Sequence, residues 1–313
     1  IIYLIMKKYS NFIIVIITFI IFILIVFNKD LVSNTIVTSF YIWFNTLVPS
    51  MMPMFILSDI LINYNFIMYV PNFITNFISK LFNISKNAVL TLFISLFSGF
   101  PGNGLAIKTS YDLNLISHEE ASHLLLFVHF ANPLFVLWTL GGFYLKNTLY
   151  GIIILISHIL SAFIIGIIFR SKNHPSKTNY ISKTNNCQSF NSIFSNSIKK
   201  SINTLLMVSG TVTSFLIIST LICHIFSLNS LLSTFVKGIL EMTMGLSSLS
   251  SLNIPAIYKV VFSSSIISFG GLSIHMQVFS ISEDIPYINY FKGRVIHSLL
   301  AGILSFILFI LFS

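Results

Sequence analysis

The sequence predicts an all-α polytopic membrane protein. Of its 313 residues, 55% are hydrophobic and only 8% are charged, whereas a soluble domain carries about 25% charged residues. The spacing of the apolar runs gives the second observation. Crossing a hydrocarbon core of about 30 Å takes about 20 residues, somewhat fewer at the short end. Suitable runs lie at 11–27, 35–62, 121–145, 149–169, 203–226 and 288–312. The net charge of +9 does not point to nucleic acid, because the cations fall mainly in short loops, where they report topology.

Residues 1–30 read as an N-terminal transmembrane helix. Met6, followed by Lys7 and Lys8, is a more natural start than Ile1. No small-residue cleavage site follows 11–27, so this is an uncleaved helix rather than a signal peptide. Residues 170–200 hold Arg170, Lys172, Lys177, Lys183, Lys199 and Lys200 without an acid and are expected to be a cytoplasmic loop. Lys7 and Lys8 place the N-terminus on the same side, so an even number of crossings separates the two. The cysteines, Cys187 and Cys223, have neither metal-ligand spacing nor an argument for a disulfide.

Between these landmarks lies a first repeat, 31–169. It opens with the span 35–62, kinked by Pro49 and Pro53. In 66–83, Phe66, Val70, Phe73, Phe77 and Leu81 form one stripe against Asn72, Asn76, Lys80 and Asn83. That period suits a helix lying in the interface, with a short span as the alternative. The segment 87–113 contains "SGFPGNG" at 98–104, which a helix cannot carry without a break, so a re-entrant hairpin is expected. The spans 121–145, broken at Asn132-Pro133, and 149–169 complete this half.

The second repeat, 201–313, echoes the first. Asn-Thr-Leu recurs at 45–47 and 203–205, the amphipathic 228–243 matches 66–83, and "SSIISFGGLSIH" (264–275) matches the first break. A second re-entrant hairpin is therefore expected at 255–283. The span 149–169 inverts this copy, and inverted repeats with broken segments mark many secondary transporters.

Irregular backbone survives in a bilayer only against protein or water, so two matched breaks point to one shared, hydrated cavity. In the first, Gly99, Gly102 and Gly104 permit positive φ and close approach. Pro101 opens the following helix, whose free N–H groups and dipole would favour an anion. Ser98 and Asn103 add side-chain hydrogen bonds, Lys108 a full positive charge, and Asn132 either a cap or a cavity-facing amide. In the second, Ser268, Gly270, Gly271, Ser273 and His275 have the same roles. Glu241, just before that break, is the leading candidate for a coordinating carboxylate; the alternative places it on the polar face of an interfacial helix. The remaining acids near the breaks, Asp112, Glu119, Glu120, Glu283 and Asp284, are expected to be solvated.

Enzyme motifs are weak. In "HEEASH" the histidines, His118 and His123, are five apart, roughly 140° around a helix, so they share no zinc face. Ser117 is instead expected to cap a helix with Glu119 and Glu120 in its first turn. Neither a catalytic centre nor a resident cofactor or metal is expected.

"SGFPGNG", then "ISHEEA", "NPLF" and "LEMTMGL", in this order, resemble the sporulation integral membrane protein YlbJ family of the nucleoside-recognition (Gate) group. The matching positions are Ser98, Gly99, Pro101, Gly102 or Gly104, Ile116-Ser117, Glu119-Glu120-Ala121, Pro133-Leu134-Phe135, Leu240-Glu241, Thr243 and Gly245-Leu246. Phe100, Asn103 and Asn132 depart from the pattern and bear on substrate identity. The resemblance implies a fold similar to concentrative nucleoside transporters, with two hairpins meeting at mid-membrane, in a bacterial cell membrane or outer forespore membrane. It also implies movement of a small anion, dipicolinate, during spore formation. A nucleoside or nucleobase carrier and a non-transporting sporulation scaffold are the alternatives. The lipid bilayer and a small-molecule substrate are the expected partners, with no nucleic acid. Coupling to Na+ or H+ and self-association as a homo-oligomer stay open.

Overall fold

A computed structural model describes the backbone of residues 2–170 and 189–312, and side chains within those bounds from residue 11 onward. Cys187, Lys172, Lys177 and Lys183 lie outside the described residues, as do the side chains of Met6, Lys7 and Lys8. The described chain is helical. Five of its helical runs are long and apolar enough to cross a membrane: Lys29–Asn63, Thr148–Ile168, Phe190–Ile225, Ala256–Ile281 and Tyr287–Phe312. The protein is a multi-pass integral membrane protein.

The first helix, α1 (Ile2–Phe27), joins α2 (Lys29–Ile42) through a single residue, and its apolar side chains from Phe12 to Phe27 are largely exposed. They are not part of the core. A π-turn at Trp43–Leu47 links α2 to α3 (Val48–Asn63). There the Val48 amide donates to the Trp43 carbonyl, five residues back. The widened turn stands immediately before Pro49, and Pro53, which has no amide to donate, follows inside α3.

The expected amphipathic segment 66–83 is not one helix. A short 3₁₀ turn, Phe66–Tyr69, ends before Pro71, and α4 (Asn72–Phe82) follows. Phe73 and Phe77 of α4 are 74% and 67% exposed, and α4 meets α5 (Lys86–Ser98) at 92°.

With α6 (Gly102–Asp112), α5 forms a helical hairpin matching the expected 87–113. Thr91 and Ser110 hydrogen-bond across it at 2.8 Å, and Asn87 Nδ2 donates to the Leu115 carbonyl at 2.9 Å. The arms have 13 and 11 residues. At 1.5 Å per residue they are about 20 and 16 Å long, short of the roughly 30 Å hydrocarbon core.

Next comes the expected span 121–145, in two pieces: α7 (His118–Phe127) and a π-helical stretch, Phe135–Tyr144, are separated by an unwound segment at 128–132, with Pro133 and Leu134 already helical. Ser117 caps α7 by accepting the Glu120 amide at 3.1 Å, as expected. Glu120 itself is buried rather than solvated, because its Oε1 accepts the Ser85 amide at 2.6 Å. Then α8 (Thr148–Ile168) crosses the π-helical stretch so closely that a Cβ on Gly141 would lie 2.7 Å from Gly151 Cα.

After the undescribed residues, α9 (Phe190–Ile225) runs for 36 residues. It begins inside the segment expected to be a loop, so Lys199 and Lys200 are helical. It lies antiparallel to α2 and α3: Ser39 bonds Thr213, Trp43 Nε1 donates to Leu205 O, and Lys200 Nζ reaches Asp59 at 2.9 Å.

The second half corrects two expectations. Residues 228–243 are not a lone interfacial helix, and 255–283 is not a hairpin. Instead α10 (Ser230–Leu240) and α11 (Met242–Ser251) fold back on each other at Glu241, so tightly that a Cβ on Gly245 would overlap the Gly238 backbone. The glycines that make this hairpin sit in its arms rather than its tip, so no glycine-rich stretch marks the turn in the sequence. Meanwhile α12 (Ala256–Phe269) and α13 (Gly271–Ile281) form one 26-residue apolar run, interrupted at Gly270 and Gly271 with φ of 90° and 71°. The last helix, α14 (Tyr287–Phe312), packs on α12, α8 and α7.

Candidate functional site

Each hairpin tip rests on the break of the span that follows it. At the first tip, Gly99 adopts φ 71° and would place a Cβ 2.6 Å from Asn132 Cβ and 2.8 Å from Asn132 N, in the unwound segment. Ser98 Oγ donates to Asn103 Oδ1 (3.0 Å), and Asn103 Nδ2 donates to the Phe130 carbonyl (2.8 Å). Asn132 takes the capping role: its Oδ1 accepts the Leu134 amide at 2.8 Å. Gly102 lies against the Phe55 ring and Gly104 against Val278. The Asn103 amide donates to the Gly99 carbonyl, and the Leu105 amide to the Pro101 carbonyl. These two tip amides are spent within the turn.

At the second tip Glu241 has extended backbone, φ −140° and ψ 109°, and caps α11 by accepting the Met244 amide. It is 2% exposed. A Cβ on Gly271 would lie 3.0 Å from Met242 N, so the second break abuts this tip.

Among the described residues, the tips and breaks are packed closed in this conformation. Ser98, Gly102, Asn103, Gly104, Asn132, Glu241, Ser268, Ser273 and His275 are all buried. Beside the first hairpin, Phe55, Asp59, Gly102 and Thr109 line a cavity of about 10 Å³, room for about one water. Ser98, Asn103, Asn132, Glu241, Ser268 and His275 bond protein groups where the tips interlock with the breaks, while Ser273 Oγ is buried without a partner.

Lys108 does not face the tip. Its ammonium bonds Asp112 at 2.6 Å and Asp284 at 2.8 Å at the exposed base of the hairpin. Hydrogen bonds to these two carboxylates raise the Lys108 pKa above its ordinary value, and the bond to Lys108 lowers that of Asp284. The α6 helix carries Lys108 six residues past Gly102, about 9 Å along its axis at 1.5 Å per residue. That removes its charge from the tip.

A different cation occupies the centre. Arg294 on α14 is completely buried. Its Nη1 donates to His297 Nδ1 (2.7 Å), His129 O (3.2 Å) and Ser268 O (3.4 Å), and its Nη2 donates to Leu126 O (3.4 Å). Leu126 and His129 flank the start of the first break and Ser268 precedes the second, so one guanidinium ties both together. Among the described residues, the ion pairs join Lys108 to Asp112 and Asp284, and Lys200 to Asp59; none reaches Arg294.

Four histidines surround it, and their tautomers follow from their partners. His297 Nδ1 accepts from the guanidinium, so Nε2–H donates to the His158 carbonyl at 2.8 Å. His158 Nε2 accepts the Ala131 amide, so Nδ1–H donates to Ser268 Oγ at 2.8 Å. His275 Nε2–H donates to the Phe269 carbonyl, and its Nδ1 accepts from Tyr287 OH. His129 Nε2 pairs with Tyr290 OH at 2.9 Å. Rings connect the breaks: Phe100 stacks on His129 at 4.7 Å, His129 meets Tyr290 at 4.9 Å, and Tyr290 meets His275 at 5.0 Å. Arg294, His158 and His297 escaped the sequence reading because they form no motif and lie on two helices far apart in the chain. Their only signal was the cost of burying them.

The family model described as Gate, nucleoside recognition, matches residues 44–147, from the π-turn before α3 to the end of the first broken span. Across most of its length the chain is 24% identical to sporulation integral membrane protein YlbJ of Bacillus subtilis (strain 168), over 310 aligned residues covering 87% of this chain and 76% of that protein. The chain resembles the YlbJ family. No solved structure matches it. The Gate match and the YlbJ relative support a transporter-like or sporulation membrane protein. The Gate match includes Gly99, Asn103 and Asn132 of the first tip and break and His129 of the buried cluster, but not Arg294, His158, His275 or His297.

Proposed function

We propose that this chain is a secondary transporter of a small anionic metabolite, with dipicolinate the favoured substrate, working in a cell or forespore membrane during spore formation. One observation carries the proposal: each hairpin tip lodges in the break of the following span, Gly99 on Asn132 and Glu241 beside Gly271. Short hairpin arms and unwound backbone at membrane depth are tolerated only when buried in protein or lining a water path, and they supply joints for alternating access. The segments pair as an inverted repeat in a revised register. In it 86–112 answers 230–251, 118–144 answers 256–281, and 148–168 answers 287–312, with α3 and α9 lying antiparallel at the interface. Both hairpins are then re-entrant. The tips are closed here, so transport requires that they part. The site residues are those of the two tips and breaks: Ser98, Gly99, Pro101, Gly102, Asn103, Gly104, Asn132, Glu241, Ser268, Gly270, Gly271, Ser273 and His275.

The dry packing of the tips favours a second reading, a non-transporting sporulation scaffold. The description of the matched Gate model leaves room for a nucleoside carrier. Uptake of labelled dipicolinate and of uridine into proteoliposomes separates the three. Dipicolinate uptake that saturates under a Na+ or H+ gradient and falls in Glu241→Gln supports the proposal, while uridine uptake alone makes the chain a nucleoside carrier. If neither compound moves, the transport proposal fails and the scaffold stands.

A further inference from the structure

We infer that Arg294 is the receptor for a ligand carboxylate, and that the same guanidinium locks the two helix breaks until that carboxylate displaces their carbonyls. The inference rests on the transporter proposal and adds to it the recognising side chain and the chemistry it selects.

Charge comes first. Lys108 is matched by two acids and Lys200 by one, which leaves Arg294, among the described residues, as the fully buried cation without a carboxylate. An isolated charge in a membrane helix is costly to keep and tends to be functional.

Geometry comes second. Charge-assisted N–H···O bonds run about 2.7–2.9 Å, but the guanidinium's three carbonyl contacts are 3.2, 3.4 and 3.4 Å, and its Nε is buried with no partner. Its donors are held but under-satisfied. The nearest titratable neighbour, His297, presents a lone pair, and His129 Nδ1 is a second buried polar atom without a partner. A carboxylate entering here finds a planar fork that it can match with two parallel bonds. Low local polarity strengthens that pairing over the neutral carbonyls it replaces.

Shape decides between oxyanions. Phe100 and His129 are stacked to within 19°, and Tyr290 lies with its ring 5.5 Å from the guanidinium carbon. These walls are flat and aromatic, and they suit a planar aromatic acid better than a tetrahedral phosphate. When the carboxylate takes the guanidinium, the carbonyls of Leu126, His129 and Ser268 are released together, so ligand recognition and loosening of both joints become one event.

The sequence contains only two arginines, Arg170 and Arg294, and Arg170 is exposed at the end of α8. Arg170→Lys therefore leaves Arg294 as the sole arginine and permits a test on the intact site. The full chain is made with arginine labelled with ¹⁵N at the guanidino group, reconstituted in liposomes and loaded with dipicolinate labelled with ¹³C in its carboxylates. Strong ¹³C–¹⁵N dipolar dephasing is expected, because a bidentate pair holds the carboxylate carbon within about 4 Å of the guanidinium nitrogens. In parallel, Arg294→Lys, which keeps the charge but loses the fork, is expected to weaken dipicolinate binding by about tenfold or more. Saturable dipicolinate binding without dephasing, or with affinity unchanged in a folded Arg294→Lys, overturns the assignment of Arg294 and leaves the transporter proposal standing. No saturable binding at all overturns both. Should Arg294→Lys not fold, the dephasing measurement alone decides.

Discussion

The two hairpins reach one shape by opposite chemistry. In α5–α6 the glycines are in the tip: Gly99 takes a positive φ and touches Asn132, and Gly102 sits under Phe55. In α10–α11 the tip is Glu241, an ordinary extended residue that caps the returning arm, and the glycines are in the arms, where Gly238 and Gly245 bring the helices into backbone contact. The positive-φ glycines of the second half have moved into its broken span, at Gly270 and Gly271. One hairpin turns because its tip backbone is free to bend, and the other because its arms are free to approach. A break in a helix can thus come either from residues that allow a conformation or from residues that allow a contact.

The sharpest way to break this comparison is Gly245→Val. A side chain there must displace the Gly238 backbone, which cannot yield without opening the hairpin, so a loss of several kcal/mol is expected, at or beyond the usual overpacking range of about 1–3 kcal/mol. The check is recovery of monodisperse protein in detergent, and near-normal recovery would refute the arm-contact account.

Next come two glycine substitutions that look alike in sequence. Gly99→Ala meets both a positive φ and the Asn132 backbone, whereas Gly270→Ala meets a positive φ but ordinary 3.7 Å contacts with Ile274. Backbone strain alone costs about 1–2 kcal/mol, so Gly270→Ala is expected to lose about that much and Gly99→Ala clearly more, read from thermal unfolding in detergent. Equal losses would mean that the first tip does not rest on Asn132 as tightly as described.

Glu241 sharpens the second tip. Glu241→Ala removes the cap on α11 and is expected to cost about 1 kcal/mol. Glu241→Gln keeps an acceptor for the Met244 amide and is expected to leave stability nearly intact. Unfolding of the pair separates the capping role from any role of the charge, which only transport can report.

The smallest effect is expected at Lys108. Its ion pairs are exposed, and exposed pairs contribute little, so Lys108→Met should leave the unfolding temperature and dipicolinate uptake essentially unchanged. Uptake lost with stability retained would restore Lys108 as an anion receptor.

Much of the site was half legible. Ser98–Gly104 announced itself as a hairpin tip because three glycines and a proline leave a helix no alternative. Asn132 was visible as a break because Pro133 follows it. The second hairpin was misread because matching glycine to glycine aligned 264–275 with the first tip, when the contact-making glycines were Gly238 and Gly245. Arg294 was not singled out at all. A lone arginine near the start of a long apolar span resembles a snorkelling anchor, and only the approach of α7 and α12 puts it at the centre.

What the amino-acid sequence determined by itself is the membrane class, the long apolar runs and the fact of the breaks, because hydropathy and backbone freedom are local properties. Which break turns back, which tip meets which joint, and which cation is left without an acid were decided only in the tertiary structure. The physical reason is that pairing of charges and contact between glycine backbones are relations between segments far apart in the chain, and a bilayer-buried polar group takes its role from whatever the fold brings beside it.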